Sequence, residues 1–392
     1  MKKNARFEPG SGRPVFIRFF AVLIALGLQG GGSPLQPAES YPAVPVKEAV
    51  ERPFYLGFTS WASGPTLEDV ARTYRFISQN ADILTEHIEG VPWFEALHDR
   101  PFAKGFQQNI ELGRGNRPAG MKLVLAISPL NMGRNSLAGY FGEKENMPLP
   151  DDISGKAFND PAIKKAYLNY CLRMADYFKP DYFIIGIETN ELLKNTPEQW
   201  EGFVELSQHV HSELKKKLPD LPMAQSVTLH VLLDKKVPNL DRYQKRIAEF
   251  ISAYDFNAVS FYPFFMGLHQ YDEFAKALKS IRQFGTKPIA ISECGHPAEP
   301  IVAKTWNLNI PSSPEEQDQF VQALLKQAQE DKYLFVTQYA ALDFDELWKI
   351  FPDEVKDLGR LWRDTGLVDE SNTPRPALET WRRALARKKM TP

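Results

Sequence analysis

The sequence holds only two cysteines in 392 residues, Cys171 and Cys294, which excludes a disulfide scaffold. Cys171 lies in an apolar helical pattern and Cys294 follows a strand-like run, so both read as free thiols, with a single bridge as the other reading. No CxxC or Cys/His cluster is present, so no metal and no cofactor is expected. No GxGxxG or GxxxxGK[ST] follows a strand pattern, which weakens nucleotide-binding readings. A charge excess is missing too. Lys and Arg number 47 against 49 Asp and Glu, a net charge of −2, so nothing electrostatic argues for nucleic acid or an anionic membrane as partner. There is no internal repeat.

The N-terminal apolar run Phe19–Leu28 is about ten residues, too short for a membrane span, which needs roughly 20. Lys2, Lys3, Arg6, Arg13 and Arg18 precede it, and Gly30, Gly31, Gly32 and Ser33 follow. A basic flank, a short apolar core and small residues read as a signal peptide over 1–32, against a disordered tail as the other reading. The segment Leu28-Gln29-Gly30-Gly31-Gly32-Ser33 also resembles a lipoprotein signal in which Gly31 takes the place of the cysteine. Export to the periplasm, envelope or medium is therefore expected, with any membrane tether confined to the N-terminus. The Pro/Ser/Ala-rich stretch 33–53 reads as a linker.

The chain as a whole is rich in aromatic residues (12%) and in proline (30 residues), and what remains, 54–392, alternates strand-like with helix-like segments. The expected strands are Tyr55–Ser60, Asp82–His87, Lys122–Ile127, Tyr182–Ile187, Ala224–Leu232, Ala258–Tyr262, Pro288–Ser292 and Leu334–Tyr339. Each is short and apolar, as buried parallel strands are. The expected helices are Thr66–Gln79, Pro161–Phe178, Pro197–Leu218, Asp241–Ala253, Asp272–Phe284, Pro314–Glu330 and Pro376–Arg387. The stretch from Pro92 to Pro118 is less regular, with one short helix. Eight strand–helix steps predict an α/β fold, one (β/α)₈ TIM barrel, and a monomer is expected.

Function in such a barrel sits at the C-terminal ends of the strands. The fourth strand runs Ile184-Ile185-Gly186-Ile187-Glu188-Thr189-Asn190-Glu191, and the seventh runs Pro288-Ile289-Ala290-Ile291-Ser292-Glu293-Cys294-Gly295. Each apolar run meets a carboxylate, which is costly to bury unless it is used or paired. Two carboxylates flanking a glycosidic bond are what glycoside cleavage needs. Two rim carboxylates paired with Lys or Arg are the plainer alternative.

Asn190-Glu191 and Glu293, with Val259-Ser260-Phe261-Tyr262-Pro263 ending the sixth strand and Leu229-His230 in the fifth, resemble the clan A retaining barrel glycosidases. The closing segment Thr365-Gly366-Leu367-Val368-Asp369, Pro374-Arg375-Pro376-Ala377 and Trp381 resembles theirs as well. Ser260 to Pro263 together with Glu293-Cys294-Gly295 is most similar to the endo-β-1,4-galactanase family. The resemblance spans roughly 54 to 385 in order of elements. It implies a retaining glycoside hydrolase acting on a poly- or oligosaccharide. Glu191 would be the acid/base and Glu293 the nucleophile. Tyr262 would hold Glu293, and Asn190 would bind the sugar 2-hydroxyl. The sequence departs from the pattern at Ser128-Pro129-Leu130-Asn131, which lacks the histidine or aspartate of many members, and after the eighth strand, which lacks a tryptophan.

Other strand-end residues have two readings each. Glu188 reads first as an ion-pair partner, because strand alternation separates it from Glu191. Trp61, Trp93, Trp306 and Trp348 are either sugar-stacking rings or loop packing. His87 and His230 are either site residues or satisfied core. Asp343 and Asp345 are either hydroxyl-binding or solvated. A metal-dependent barrel hydrolase would want an HxH motif after the first strand, and Phe58-Thr59-Ser60-Trp61 offers none. A non-catalytic carbohydrate-binding barrel and a transglycosylase using the same residues stay open.

Overall fold

The structure, a computed structural model, describes residues 51–304 and 308–390. The expected signal peptide, most of the linker and Trp306 lie outside these residues. The strands are β1 (Tyr55–Thr59), β2 (Ile83–Ile88), β3 (Lys122–Ile127), β4 (Tyr182–Ile184), β5 (Met223–Ala224), β6 (Ser226–Thr228), β7 (Asn257–Phe261), β8 (Ile289–Cys294), β9 (Ile301–Ala303), β10 (Leu308–Ile310) and β11 (Phe335–Gln338). Nine of them form one parallel sheet in the order β5-β4-β3-β2-β1-β11-β8-β7-β6. The two ends of that order, β5 and β6, are consecutive in the chain on either side of Gln225. They are the two halves of a bent fifth barrel strand, so the sheet wraps into a nearly closed (β/α)₈ barrel. β9 and β10 form a separate antiparallel pair after β8.

Two expected strands are shorter than their apolar runs. The fifth ends at Thr228, not Leu232, because Leu229–Leu232 is a helical turn closed by Leu233 N–H on Leu229 O at 3.0 Å. Thr228 N–H instead donates to the side chain of Asn190 at 2.8 Å. The fourth stops at Ile184, not Ile187. Gly186 follows, where a Cβ would lie 1.8 Å from Gln225 Oε1 and would force that side chain aside. Two residues on, Glu188 takes φ of +53°, a left-handed conformation uncommon outside glycine.

The helices follow the sequence closely. Leu67–Asn80 starts on a capping box between Thr66 and Asp69, and Pro161–Phe178 starts on an Asp160 cap with proline in its first turn. The irregular second step carries two helices, Trp93–His98 and Lys104–Asn116. An unexpected helix, Asp353–Arg363, lies beyond β11. Inside the barrel, Ile83, Val124, Ile184, Phe256 and Phe335 form a small core, while a larger one fills the layer between strands and helices. Contact with the barrel starts before Phe54: Arg52 is buried and pairs with Asp82 at 2.6 Å. Cys171 and Cys294 are free and buried. Among the described residues no helix is long and apolar enough to cross a membrane.

Candidate active site

The C-terminal ends of the strands open into a cleft whose wall includes Trp61, His87, Glu89, Arg134, Glu188, Tyr262, Glu293, Tyr339 and Trp362. Glu293 comes from β8. Its Oε1 accepts the Tyr262 hydroxyl and its Oε2 lies 3.2 Å from His87 Nδ1. His87 comes from β2, and its Nε2 lies 2.9 Å from Glu89 Oε1. Arg134 then bridges two carboxylates, with Nη2 at 3.1 Å from Glu89 and 3.4 Å from Glu188. Glu188 accepts the Ser260 hydroxyl at 2.7 Å, and its own N–H donates to Ser226 Oγ at 2.8 Å. The result is a chain of alternating carboxyl and cationic side chains, Glu293–His87–Glu89–Arg134–Glu188, running around the cleft wall.

The spacing of the two end carboxylates follows from the sheet. Ser260, which holds Glu188, is the cross-strand partner of Glu293 in the β7·β8 ladder. Adjacent strands stand about 4.8 Å apart. Glu188 is thus tied to the residue beside Glu293.

Their protonation differs. Burial works against the charge of Glu293, but the hydrogen bond and positive charge of His87, the Tyr262 hydroxyl and Arg134 outweigh it and hold its carboxyl below the usual carboxylate value. Burial also opposes the charge on His87, yet Glu293 and Glu89 lift its imidazolium to about 10. Glu89 is likewise buried, but Arg134 and His87 draw it down to about 2. Glu188 goes the other way. Burial, together with the negative charges of Glu293 and Glu191, outweighs Arg134 and pushes it up to about 7. Near neutral pH the cleft therefore holds a partly protonated carboxyl, Glu188, together with an ionised one, Glu293.

The other residues singled out from sequence are scattered around this centre. Glu191 sits one step up, in the first turn of Asn190–Asn195, 3.8 Å from His230 Nε2, and is not on the cleft wall. Burial raises its carboxyl, against Lys194 and Arg134. His230 packs its ring on Phe265 at 5.0 Å, and burial lowers it to about 3, so it is neutral. Asn190 is not poised for a sugar hydroxyl. It is fully buried and its amide is engaged with Thr228, accepting from its N–H and donating to its carbonyl. Trp93 is not a stacking platform either. It is fully buried, donates to Ala138 O at 2.8 Å and lies 6.3 Å from the Tyr167 ring. Trp61 does reach the cleft, against Tyr339 at 5.5 Å and Phe344 at 5.6 Å. Trp348 donates to Lys356 O beneath Arg360. Asp343 is buried and Asp345 is partly exposed, and they pair with Arg375 at 2.7 Å and Arg363 at 3.2 Å.

Sequence reading gave Glu188 only the part of an ion-pair partner. The ion pair exists, but the alternation meant to separate it from the site does not. β4 has ended by Ile184, and the left-handed turn at Glu188 resets the direction of the side chain. Glu89 was readable as the residue two beyond His87. Arg134 carries no signal of its own in Asn131-Met132-Gly133-Arg134.

The family model for glycosyl hydrolase family 53 matches residues 166–379. No curated protein matches the chain in sequence. Among solved structures, the Ignisphaera aggregans GH53 catalytic domain is 14% identical, with 88% of this chain and 99% of that one covered at a TM-score of 0.55. GH5_18 from Streptomyces cattleya in complex with GlcNAc is also 14% identical, over 87% and 81%, at 0.61. A fungal β-1,4-galactanase is 16% identical, over 80% and 90%, at 0.51. These likenesses carry the fold, and the family match carries the class: this chain belongs to glycosyl hydrolase family 53 and is a glycoside hydrolase on a (β/α)₈ barrel.

Proposed function

We propose that the enzyme hydrolyses a polysaccharide by double displacement with retention, using Glu293 as nucleophile and Glu188, in place of Glu191, as acid/base. The carrying observation is that the charge chain holds Glu293 ionised while burial lifts Glu188 to about 7, both residues lining the cleft. In the first step a Glu293 oxygen bonds to the anomeric carbon as the glycosidic bond breaks, and the Glu188 proton passes to the leaving oxygen. In the second, Glu188 takes a proton from water, whose oxygen bonds to the anomeric carbon as the bond to Glu293 breaks. The loss of charge on Glu293 in the glycosyl-enzyme removes one of the influences that raise Glu188, which suits its change from acid to base. Partly exposed Trp61, Tyr339 and Trp362 supply apolar faces for the sugar rings.

A β-1,4-galactan is the first substrate to assay, since the solved relatives include fungal β-1,4-galactanases. The basic flank and apolar run of the first 32 residues support export of the enzyme, free or tethered. The test pairs E188Q with E191Q. The first variant is expected to lose about a thousandfold in polysaccharide hydrolysis and much less on an activated aryl glycoside, which needs no proton. The second is expected to lose under about tenfold on either. The reverse pattern returns the acid role to Glu191. NMR of the first-formed product must show the retained anomer; an inverted one refutes double displacement.

A further inference from the structure

The two strands that carry Glu293 and its tyrosine both run on into a second cluster outside the cleft. His269 follows Tyr262 in the loop leaving β7, and His296 follows Glu293 in the loop leaving β8. Glu316 lies in the first turn of the helix Pro314–Glu330. His269 Nδ1 is 3.2 Å from Glu316 Oε2, and His296 Nε2 is 3.6 Å from the same oxygen. One ligand atom from each of the three lies within 4.8 Å of the others.

His296 is the anomaly in this group. It is fully buried, and among the described residues neither ring nitrogen has a hydrogen-bond partner. Its ring is walled by Phe274 at 5.2 Å and Phe320 at 6.1 Å, and Gln317 fixes its backbone by donating to its carbonyl at 3.1 Å. Buried polar groups are nearly always satisfied, so this one calls for a partner. Its Nε2 faces Glu316. An imidazole without a partner suits a Lewis acid as ligand.

We propose that His269, His296 and Glu316 bind a zinc-class divalent cation, with water in the remaining position. Zinc takes imidazole nitrogen and carboxylate oxygen at about 2.0–2.2 Å in a tetrahedron, which sets neighbouring ligand atoms about 3.3 Å apart. The separations of 3.2 and 3.6 Å straddle that edge. Two imidazoles disfavour calcium and magnesium, which want oxygen. The side chains of His269 and Glu316 are 29% and 27% exposed, so the fourth position faces solvent. The ion would clip the exits of β7 and β8 to the helix behind them, holding in place the strands that present Tyr262 and Glu293. No spacing motif announces it, because His269 and Glu316 stand 47 positions apart.

The experiment uses the full chain without a polyhistidine tag, stripped with chelator, desalted and loaded with zinc chloride. Elemental analysis after desalting is expected to give about one zinc per chain, and melting is expected to rise by several degrees. In H269A and E316Q, checked for native circular dichroism, retained zinc should fall to about a tenth or less. Cobalt(II) on the unmodified chain gives a readout that needs no variant, since a four-coordinate site shows intense visible bands. Failure of the unmodified chain to retain zinc, equal retention by H269A and E316Q, or a six-coordinate cobalt spectrum would each overturn the site. None of these readouts depends on hydrolysis, so they stand apart from the roles of Glu188 and Glu293.

Discussion

Ser260 and Tyr262, two residues apart at the end of β7, hold different glutamates: Ser260 donates to Glu188 and Tyr262 to Glu293. Each bond favours the ionised form of its own carboxylate. Removing the hydroxyls should therefore move opposite limbs of the pH profile. S260A lets Glu188 rise above about 7, so the alkaline limb of kcat/KM should shift up by about one unit while the acid limb stays. Y262F lets Glu293 rise, so the acid limb should shift up and the maximum fall by about a hundredfold. Equal shifts of both limbs in either variant would count against separate holders.

Arg134 should matter to stability as much as to chemistry. Its side chain is 5% exposed and neutralises both Glu89 and Glu188. R134M takes the guanidinium from both carboxylates near the barrel mouth: Glu188 can answer by holding its proton, while Glu89 keeps only His87, and breaking a buried ion pair costs about 3–5 kcal/mol. Urea unfolding at pH 7 should show a loss of up to that order, carried mainly by Glu89, and the loss should shrink as pH falls far enough to protonate Glu89. Glu188 should also titrate higher in R134M, because Arg134 is the chief influence lowering it. A variant as stable as the parent at pH 7 would mean that the ion pairs contribute nothing net.

How far the sequence could be read depended on regular backbone. The order of the barrel was legible because each strand is an apolar run of barrel length. Glu293 stays within β8 although the register shifts beside it, and Tyr262 directly follows β7, two residues after Ser260. Glu188 and Glu191 could not be told apart in the same way. The alternation that would rank them stops at Ile184, and nothing in Gly186-Ile187-Glu188 announces a left-handed glutamate. Asn190 looked like a sugar ligand from its place beside Glu191, but its amide completes the hydrogen bonds of Thr228, where β6 ends. Depth was illegible too: Trp61 and Trp93 both follow strand ends, one facing the cleft and one in the core.

That contrast can be measured. W93A removes a fully buried indole and should cost about 3–5 kcal/mol in unfolding free energy. Its KM should stay close to that of the parent at a temperature where it remains folded. W61A removes a ring from the cleft and should raise KM by about tenfold, ~1.4 kcal/mol, with little loss of stability. Oligosaccharides too short to reach Trp61 should not register the change. A raised KM in W93A would return that ring to the site.

His87 ties the electrostatics of the cleft to the pH dependence of folding. Its ordinary value is 6.5, and Glu293 and Glu89 raise it to about 10 in the folded chain. A group raised by folding contributes stability that is complete below its unfolded value and is lost as pH climbs through its folded one. The contribution should therefore be full near pH 6 and fade between 6.5 and 10. Glu89, lowered from 4.5 to about 2, behaves oppositely: its share is complete above 4.5 and is lost as pH falls toward 2. H87Q keeps a side chain of similar reach without the charge. The gap in unfolding free energy between parent and H87Q should thus be widest near pH 6 and narrow steadily toward pH 10. Most other groups titrate in both proteins, so the difference isolates the imidazolium and its two partners. Urea titrations at pH 6, 8 and 10 give the gap directly. A gap that stayed constant across that range would show that His87 is neutral in the folded enzyme, and the ionised state assigned to Glu293 would lose its main support.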